Sequence, residues 1–206
     1  MTKPDFTVYH MRASRSFRVL WLLEELGLPY AVEPIEFDFG DAGGEEYRKI
    51  HPVNKVPALV DGDTTMAESL AIMQYIMNKY SDGGLRPGIH DPEYGAYLQW
   101  YHFGEATLSA IGVTLMKQRR FLPMDKRNKE TEDFAEAEMI KQLDYLASQL
   151  DGRDYVLEFG FSAADISIGY ALLLLRLAKA KDKFPEPIHH YWETLKQRPA
   201  FVAASN

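Results

Sequence analysis

The chain has 206 residues, 46% of them hydrophobic and 26% charged, enough for one large or two small domains that each bury a core. Its net charge of −7, from 23 basic and 30 acidic residues with no basic block, argues against nucleic acid and anionic membrane as partners. It contains no cysteine, which excludes disulfides, thiolate metal sites and any protein-borne cysteine nucleophile, so sulfur chemistry here needs a thiol that arrives with a ligand.

The N-terminus, Met1-Thr2-Lys3-Pro4-Asp5, lacks an apolar signal core, and the apolar patch 171–175 stops at Arg176, too short to span a bilayer. No membrane and a cytoplasmic location are the expectation. The first strand is expected at 6–10, a β-rich run ending in the polar loop 11–16. Val19, Leu22, Leu23 and Leu26 then fall at i, i+3, i+4, i+7, one buried helix face, and Gly27 and Pro29 stop the helix. A second strand follows at 30–35, with Pro34 placing it at a sheet edge. Residues 38–51, with Gly40, Gly43 and Gly44, read as loop plus a poorly marked helix.

The stretch 54–72 carries the strongest signals. Pro57, between Val56 and Ala58, cannot donate a ladder hydrogen bond and belongs at the start or edge of a strand. Asp61-Gly62 marks a hairpin turn whose central positions want positive φ. Glu68 and Ser69 open a helix with Ile72, Met73 and Ile76 on its buried face, so free N–H groups and the positive dipole end face outward there. The order β-α-β, loop, β-β-α is that of a thioredoxin-like domain.

Residues 81–88, rich in Gly and Pro, form the boundary, and strand signals vanish after it. Asp91-Pro92-Glu93 is a helix start and predicts one long helix towards Arg120. A second long helix is expected over 125–150, with Ile140, Leu143, Tyr145, Leu146 and Leu150 on its apolar face. Ser162 and Asp165 form a capping box ahead of the most hydrophobic helix, expected at the centre of a helical bundle. A last amphipathic piece, 188–196, precedes Arg198-Pro199-Ala200-Phe201. The division predicted is 1–80, an α/β thioredoxin-like domain, 81–90, a linker, and 91–206, an all-α domain.

These motifs together resemble the cytosolic glutathione transferases: Val-Pro ahead of two strands, Glu-Ser at a helix start, the Ser162–Asp165 box, and Arg-Pro-Ala-Phe near the end. The segment Ser-Arg-Ser-Phe-Arg-Val-Leu-Trp-Leu-Leu-Glu-Glu-Leu, 14–26, looks like the bacterial and fungal members that use a hydroxyl in place of a cysteine. The resemblance implies a transferase that conjugates glutathione, its co-substrate, to small apolar electrophiles or reduces organic hydroperoxides. It implies no permanently bound cofactor, and a homodimer.

Such chemistry needs the thiolate, and a free thiol has a pKa of about 8.5. A hydrogen bond donated to sulfur, with a helix N-terminus aimed at it, stabilises the anion. The resemblance assigns the donor to Ser14, ahead of the first helix; on its own Ser14 reads as an N-cap. Ser16 is the neighbouring claimant and reads as a cap. Tyr9, late in the first strand, is the rival donor, with Arg15 and Arg18 as electrostatic helpers or, alternatively, a solvated surface pair.

For the tripeptide the resemblance assigns a backbone pair at Val56 made possible by a cis Pro57. It gives Glu68 to the γ-glutamyl amine, Ser69 to its carboxylate and Lys55 to the glycyl carboxylate, although Lys55 reads equally as an exposed lysine. Tyr101, His102, Glu105 and Leu108 are candidates for the electrophile pocket, or for interdomain or dimer packing. The six histidines show no metal spacing, so no metal site is expected. A member of this fold that binds glutathione as a regulatory or interaction module, without turnover, is the alternative.

Overall fold

The computed structural model describes residues 5–38 and 41–205. Its contacts divide the chain into two units, and the division is not at a single point: Arg198 onward groups with the chain up to Gly84, and the other unit is Leu85–Gln197.

The first unit is built on a mixed sheet. β1 (Phe6–His10), β2 (Tyr30–Pro34), β5 (Ala58–Asp61) and β6 (Thr64–Ala67) lie in the order β2-β1-β5-β6. β2 runs parallel to β1 through the crossover helix α1 (Ser16–Leu26), and β5 and β6 are antiparallel. This is the thioredoxin-like arrangement that the element order predicts. β3 (Phe37–Asp38) and β4 (Asp41–Ala42) pair with each other, ahead of the short α2 (Gly44–Arg48). α3 (Ser69–Tyr80) closes the unit.

Phe6 and Val8 from the sheet, Val19, Leu22 and Leu23 from α1, and Ile72, Met73, Ile76 and Met77 from α3 are buried together as its core. α1 is buried all round from Ser16 to Leu23, more than the single stripe that its period suggests. The reason lies at the far end of the sequence. α9 (Pro199–Ala204) packs on α1, setting Phe201 edge-on to Phe17 and Trp21 with centroids 5.1 and 4.9 Å apart. The Arg198 guanidinium grips Glu25 with both a 2.6 and a 2.8 Å hydrogen bond.

The hairpin is shifted by one residue from the expectation. Asp61 still pairs with Thr64, so Gly62-Asp63 is the loop, with Gly62 at φ 58°. Asp61 instead ends β5, where its carboxylate accepts hydrogen bonds from Tyr75, Tyr80 and Lys79 of α3.

In the second unit the expected single helix to Arg120 is interrupted. α4 (Tyr94–His102) passes into a π-helical stretch, Phe103–Ser109, then α5 (Ala110–Met116), then a second such stretch, Lys117–Phe121. Asp91-Pro92-Glu93 lies ahead of α4 rather than inside it, and the Glu93 carboxylate accepts the Glu158 and Phe159 N–H groups. α6 (Lys129–Gln149) buries Ala135, Met139, Leu143 and Leu146, while Ile140 and Tyr145 of the expected apolar face are exposed. Charged neighbours blur the stripe in sequence; spacing of four, four and three places Ala135, Met139, Leu143 and Leu146 under the bundle.

α7 (Ala163–Leu177) is the buried centre, packed by α4, α5 and the first π stretch, with α8 (Glu186–Lys196) beyond. Its N-terminus has the complete capping box expected from Ser162 and Asp165. Gly104 lets the π stretch reach α7, since a Cβ there would stand 2.5 Å from the Ser167 carbonyl carbon. No helix among the described residues is long and apolar enough to cross a membrane.

Candidate functional site

The register of the sheet collects the predicted residues at one end of it. Tyr9 pairs with Ala58, so the chain leaves β1 for the Ser14 loop beside the point where Val56-Pro57 enters β5. Ala58 in turn pairs with Ala67, so β6 delivers Glu68 and Ser69 to the same end. The N-termini of α1 and α3 therefore open there, each presenting a positive dipole end. The Val56-Pro57 peptide is cis.

Three non-glycine residues with positive φ sit in these loops: Ala13 at 59°, Asn54 at 56° and Glu68 at 69°. Side chains at positive φ are held there only by surrounding structure, and such strain concentrates at ligand sites.

Ser14 is nearly enclosed, 8% exposed, and Ser16 is fully buried. Their hydroxyls are 2.7 Å apart, and Ser16 Oγ lies 2.8 Å from Nδ1 of His10. Ser16 is therefore not the cap that its position suggests. The helix opens after Arg15 without a side-chain cap bond, while Ser14 Oγ accepts the Ser16 N–H at 3.3 Å. His10 carries no sequence signal beyond being the last residue of β1, and only strand alternation, which puts it on the face opposite Tyr9, brings it under α1. Burial lowers the His10 pKa below its usual 6.5, which keeps the ring neutral at pH 7.

Arg18 is not one of a surface pair. It is fully buried, and its Nη1 donates to the Ser69 hydroxyl at 3.3 Å, tying the first turns of the two helices together. Glu68 is exposed beside it at the head of α3. Lys55 is exposed, and its carbonyl accepts a 2.6 Å hydrogen bond from Tyr47 of α2.

Tyr9 lies on the other face of the sheet, where its ring packs against Tyr47 at 5.2 Å between centroids. The two line a separate cavity of about 490 Å³ with Glu33, Glu46, Lys49 and Ile50.

The candidates in the second unit lie across the change from α to π geometry, so 3.6-residue spacing does not carry through from Tyr101 to Leu108. Tyr101 and Leu108 are buried, Tyr101 stacking on Tyr97 at 5.4 Å, while Glu105 is half-buried and His102 exposed.

Residues 4–78 match the family model described as glutathione S-transferase, N-terminal domain. Over 194 residues the chain is 30% identical to a glutathione S-transferase of Hyoscyamus muticus, covering 91% of each. The chain belongs to the glutathione transferase family.

It is also 27% identical, over 94% of its length and 84% of the relative's, to glutathione S-transferase 3 of Schizosaccharomyces pombe. Among solved structures it is similar to a glutathione transferase of Burkholderia graminis, at TM-score 0.83 and 27% identity. The match covers 98% of this chain and 87% of that one, whose structure has two glutathione molecules bound per subunit. A glutathione transferase of Pseudomonas putida shares the fold at TM-score 0.86 and 23% identity, with coverage of 98% and 91%.

Proposed function

We propose that the chain is a serine-type glutathione transferase in which the Ser14 hydroxyl donates a hydrogen bond to the glutathione thiolate. The observation that carries this reading is the placement of Ser14 just ahead of α1, at the edge of a buried hydroxyl pair and at the sheet end where the strained loops converge. The donor and the α1 dipole both favour the anion, and each pKa unit of depression corresponds to about 1.36 kcal/mol of preferential stabilisation. Tyr9 ranks below Ser14 because its ring is packed on Tyr47 on the opposite face. Buried Arg18 adds positive charge one turn into the helix, where it also orients Ser69.

In this reading the backbone of Val56 before cis Pro57 holds the cysteinyl portion of the tripeptide. Glu68 takes the γ-glutamyl amine, Ser69 the adjoining carboxylate and Lys55 the glycyl carboxylate. The thiolate attacks a small apolar electrophile, forming a thioether as the leaving group departs. Tyr101, His102, Glu105 and Leu108 are the candidates for the electrophile side.

Organic hydroperoxides are a second class of substrate. Two glutathiones then give a disulfide, an alcohol and water, and the relative solved with two glutathione molecules per subunit supports considering such a reaction. A cytoplasmic location and a homodimer complete the reading; sedimentation tests the latter.

The test is the ultraviolet titration of bound glutathione. Ser14→Ala is expected to raise its pKa by about a unit or more, with affinity for glutathione largely kept. An unchanged pKa refutes the assignment. Retention on immobilised glutathione with no turnover of electrophiles or hydroperoxides would replace it with a non-catalytic binding module.

A further inference from the structure

His10, Ser16 and Ser14 form one continuous hydrogen-bonded chain, with links of 2.8 and 2.7 Å. Its ends differ from its middle. Ser16 is sealed from solvent, Ser14 reaches it through a small opening, and the His10 ring is half-buried. The remaining bonds of Ser16, with the N–H and carbonyl of Met11, are longer at 3.3 Å.

Each hydroxyl has a single hydrogen, so whenever the Ser16 hydrogen serves the chain and not the longer bond to the Met11 carbonyl, the hydrogens point one way or the other throughout. In one direction Ser14 donates to Ser16 and Ser16 to Nδ1 of His10, which leaves a lone pair of Ser14 towards the ligand side. In the other, Nδ1–H donates to Ser16, Ser16 to Ser14, and the Ser14 hydrogen is free to point at sulfur. Only the second stabilises a thiolate.

The geometry points to His10 as a positioning residue that receives the glutathione thiol proton through Ser16 and Ser14, reversing the chain so that Ser14 faces the thiolate as a donor. The inference rests on the reading of Ser14 given above. The S–H bond breaks as its proton goes to Ser14 Oγ, the Ser14 proton passes to Ser16 Oγ, and the Ser16 proton passes to Nδ1. The products are a thiolate, two intact hydroxyls and an imidazolium, and the half-buried ring then gives its proton to water.

A neutral ring is required at the start. Burial is the cause that lowers the His10 pKa and favours the neutral ring, whose Nε2–H tautomer presents Nδ1 as the acceptor. The ionisable residues on the segments around it are Tyr9, Arg12, Arg15, Arg18 and Glu33, and none of them is a cause of that shift.

Stopped-flow ultraviolet absorbance after mixing the protein with glutathione at pH 7 follows thiolate formation. His10→Gln and Ser16→Ala are expected to slow it about a hundredfold, the low end of what a placed proton acceptor supplies. The ascending limb of the kcat/KM pH profile that belongs to His10 should vanish in His10→Gln. In the unmutated protein, the rate plotted against deuterium fraction should bow below a straight line, because several protons move together.

Thiolate formation at the unmutated rate in both variants overturns the relay while leaving Ser14 in place, provided Ser14→Ala raises the bound pKa. An unchanged pKa in Ser14→Ala overturns the underlying reading as well. A linear deuterium dependence overturns the relay even if Ser16→Ala, which empties a sealed position, fails to fold.

Discussion

Replacing Asp165 by Ala tests the capping box that starts the central helix. The carboxylate is fully buried. Oδ1 accepts the Val156 N–H at 3.1 Å and the Tyr191 hydroxyl at 2.8 Å, and Oδ2 accepts the Ser162 N–H at 2.8 Å and its hydroxyl at 3.1 Å. The Ser162 hydroxyl can rotate, but the other donors have no alternative among these contacts. Three buried donors left unsatisfied, at about 1–3 kcal/mol each, give a cost of about 3–9 kcal/mol.

Burial of the carboxylate opposes this and pushes its pKa up to about 6, so the lower end, about 3 kcal/mol, is expected at pH 7. The folded pKa is raised above the unfolded value of 3.8. Protonation therefore adds stability that is fully present below pH 3.8 and lost as pH rises through about 6. The penalty of Asp165→Ala should thus be larger at pH 5 than at pH 7, by about 1 kcal/mol.

Urea unfolding of dilute protein at both pH values, followed by the fluorescence of Trp100 and Trp192 with Trp21 reporting the other unit, measures it. A loss below about 1 kcal/mol at pH 7, or one that shrinks towards pH 5, would refute the reasoning.

Arg198→Ala removes a two-bonded partner from Glu25 at side-chain exposures of 24% and 9%. Partial exposure reduces the cost of breaking a buried pair to about 1–2 kcal/mol, and hydrogen exchange of the α9 amides should rise while that of α3 does not. Gly104→Ala places a Cβ 2.5 Å from the Ser167 carbonyl carbon and 2.7 Å from the Ile168 nitrogen. Backbone cannot yield as a side chain does, so a loss of about 3 kcal/mol and a lower Tm are expected in calorimetry. Gly95→Ala, which meets nothing within 4 Å on α4, should instead leave Tm unchanged or raise it.

Signals confined to one element were legible in sequence. The Val19, Leu22, Leu23 stripe gives α1, Gly27 stops it with a left-handed φ of 61°, and Ser162 with Asp165 starts α7. The parallel β1–β2 crossover and the antiparallel β5–β6 pair also follow the reading, and the Val56-Pro57 peptide is cis as the resemblance implies. Errors arose where the outcome depends on a neighbour. The turn slipped by one residue because Asp61 is drawn to three donors on α3. The helix expected to reach Arg120 changed geometry where Gly104 approaches α7. Ile140 and Tyr145 stayed exposed because packing chose a different stripe of α6.

Without a cysteine in the chain a thiol has to come from outside, and family resemblance links the segments 14–26 and 55–69. Those are properties of composition and local order. Only the tertiary structure decided which side chains meet: Tyr9 against Tyr47, His10 against Ser16, Arg18 against Ser69 and Phe201 against Trp21. Period-two alternation sends Tyr9 and His10 to opposite faces, and the β1–β5 register fixes what stands beside each. Register and helix packing join residues as distant as Arg198 and Glu25, 173 positions apart, a separation across which local pattern carries no information.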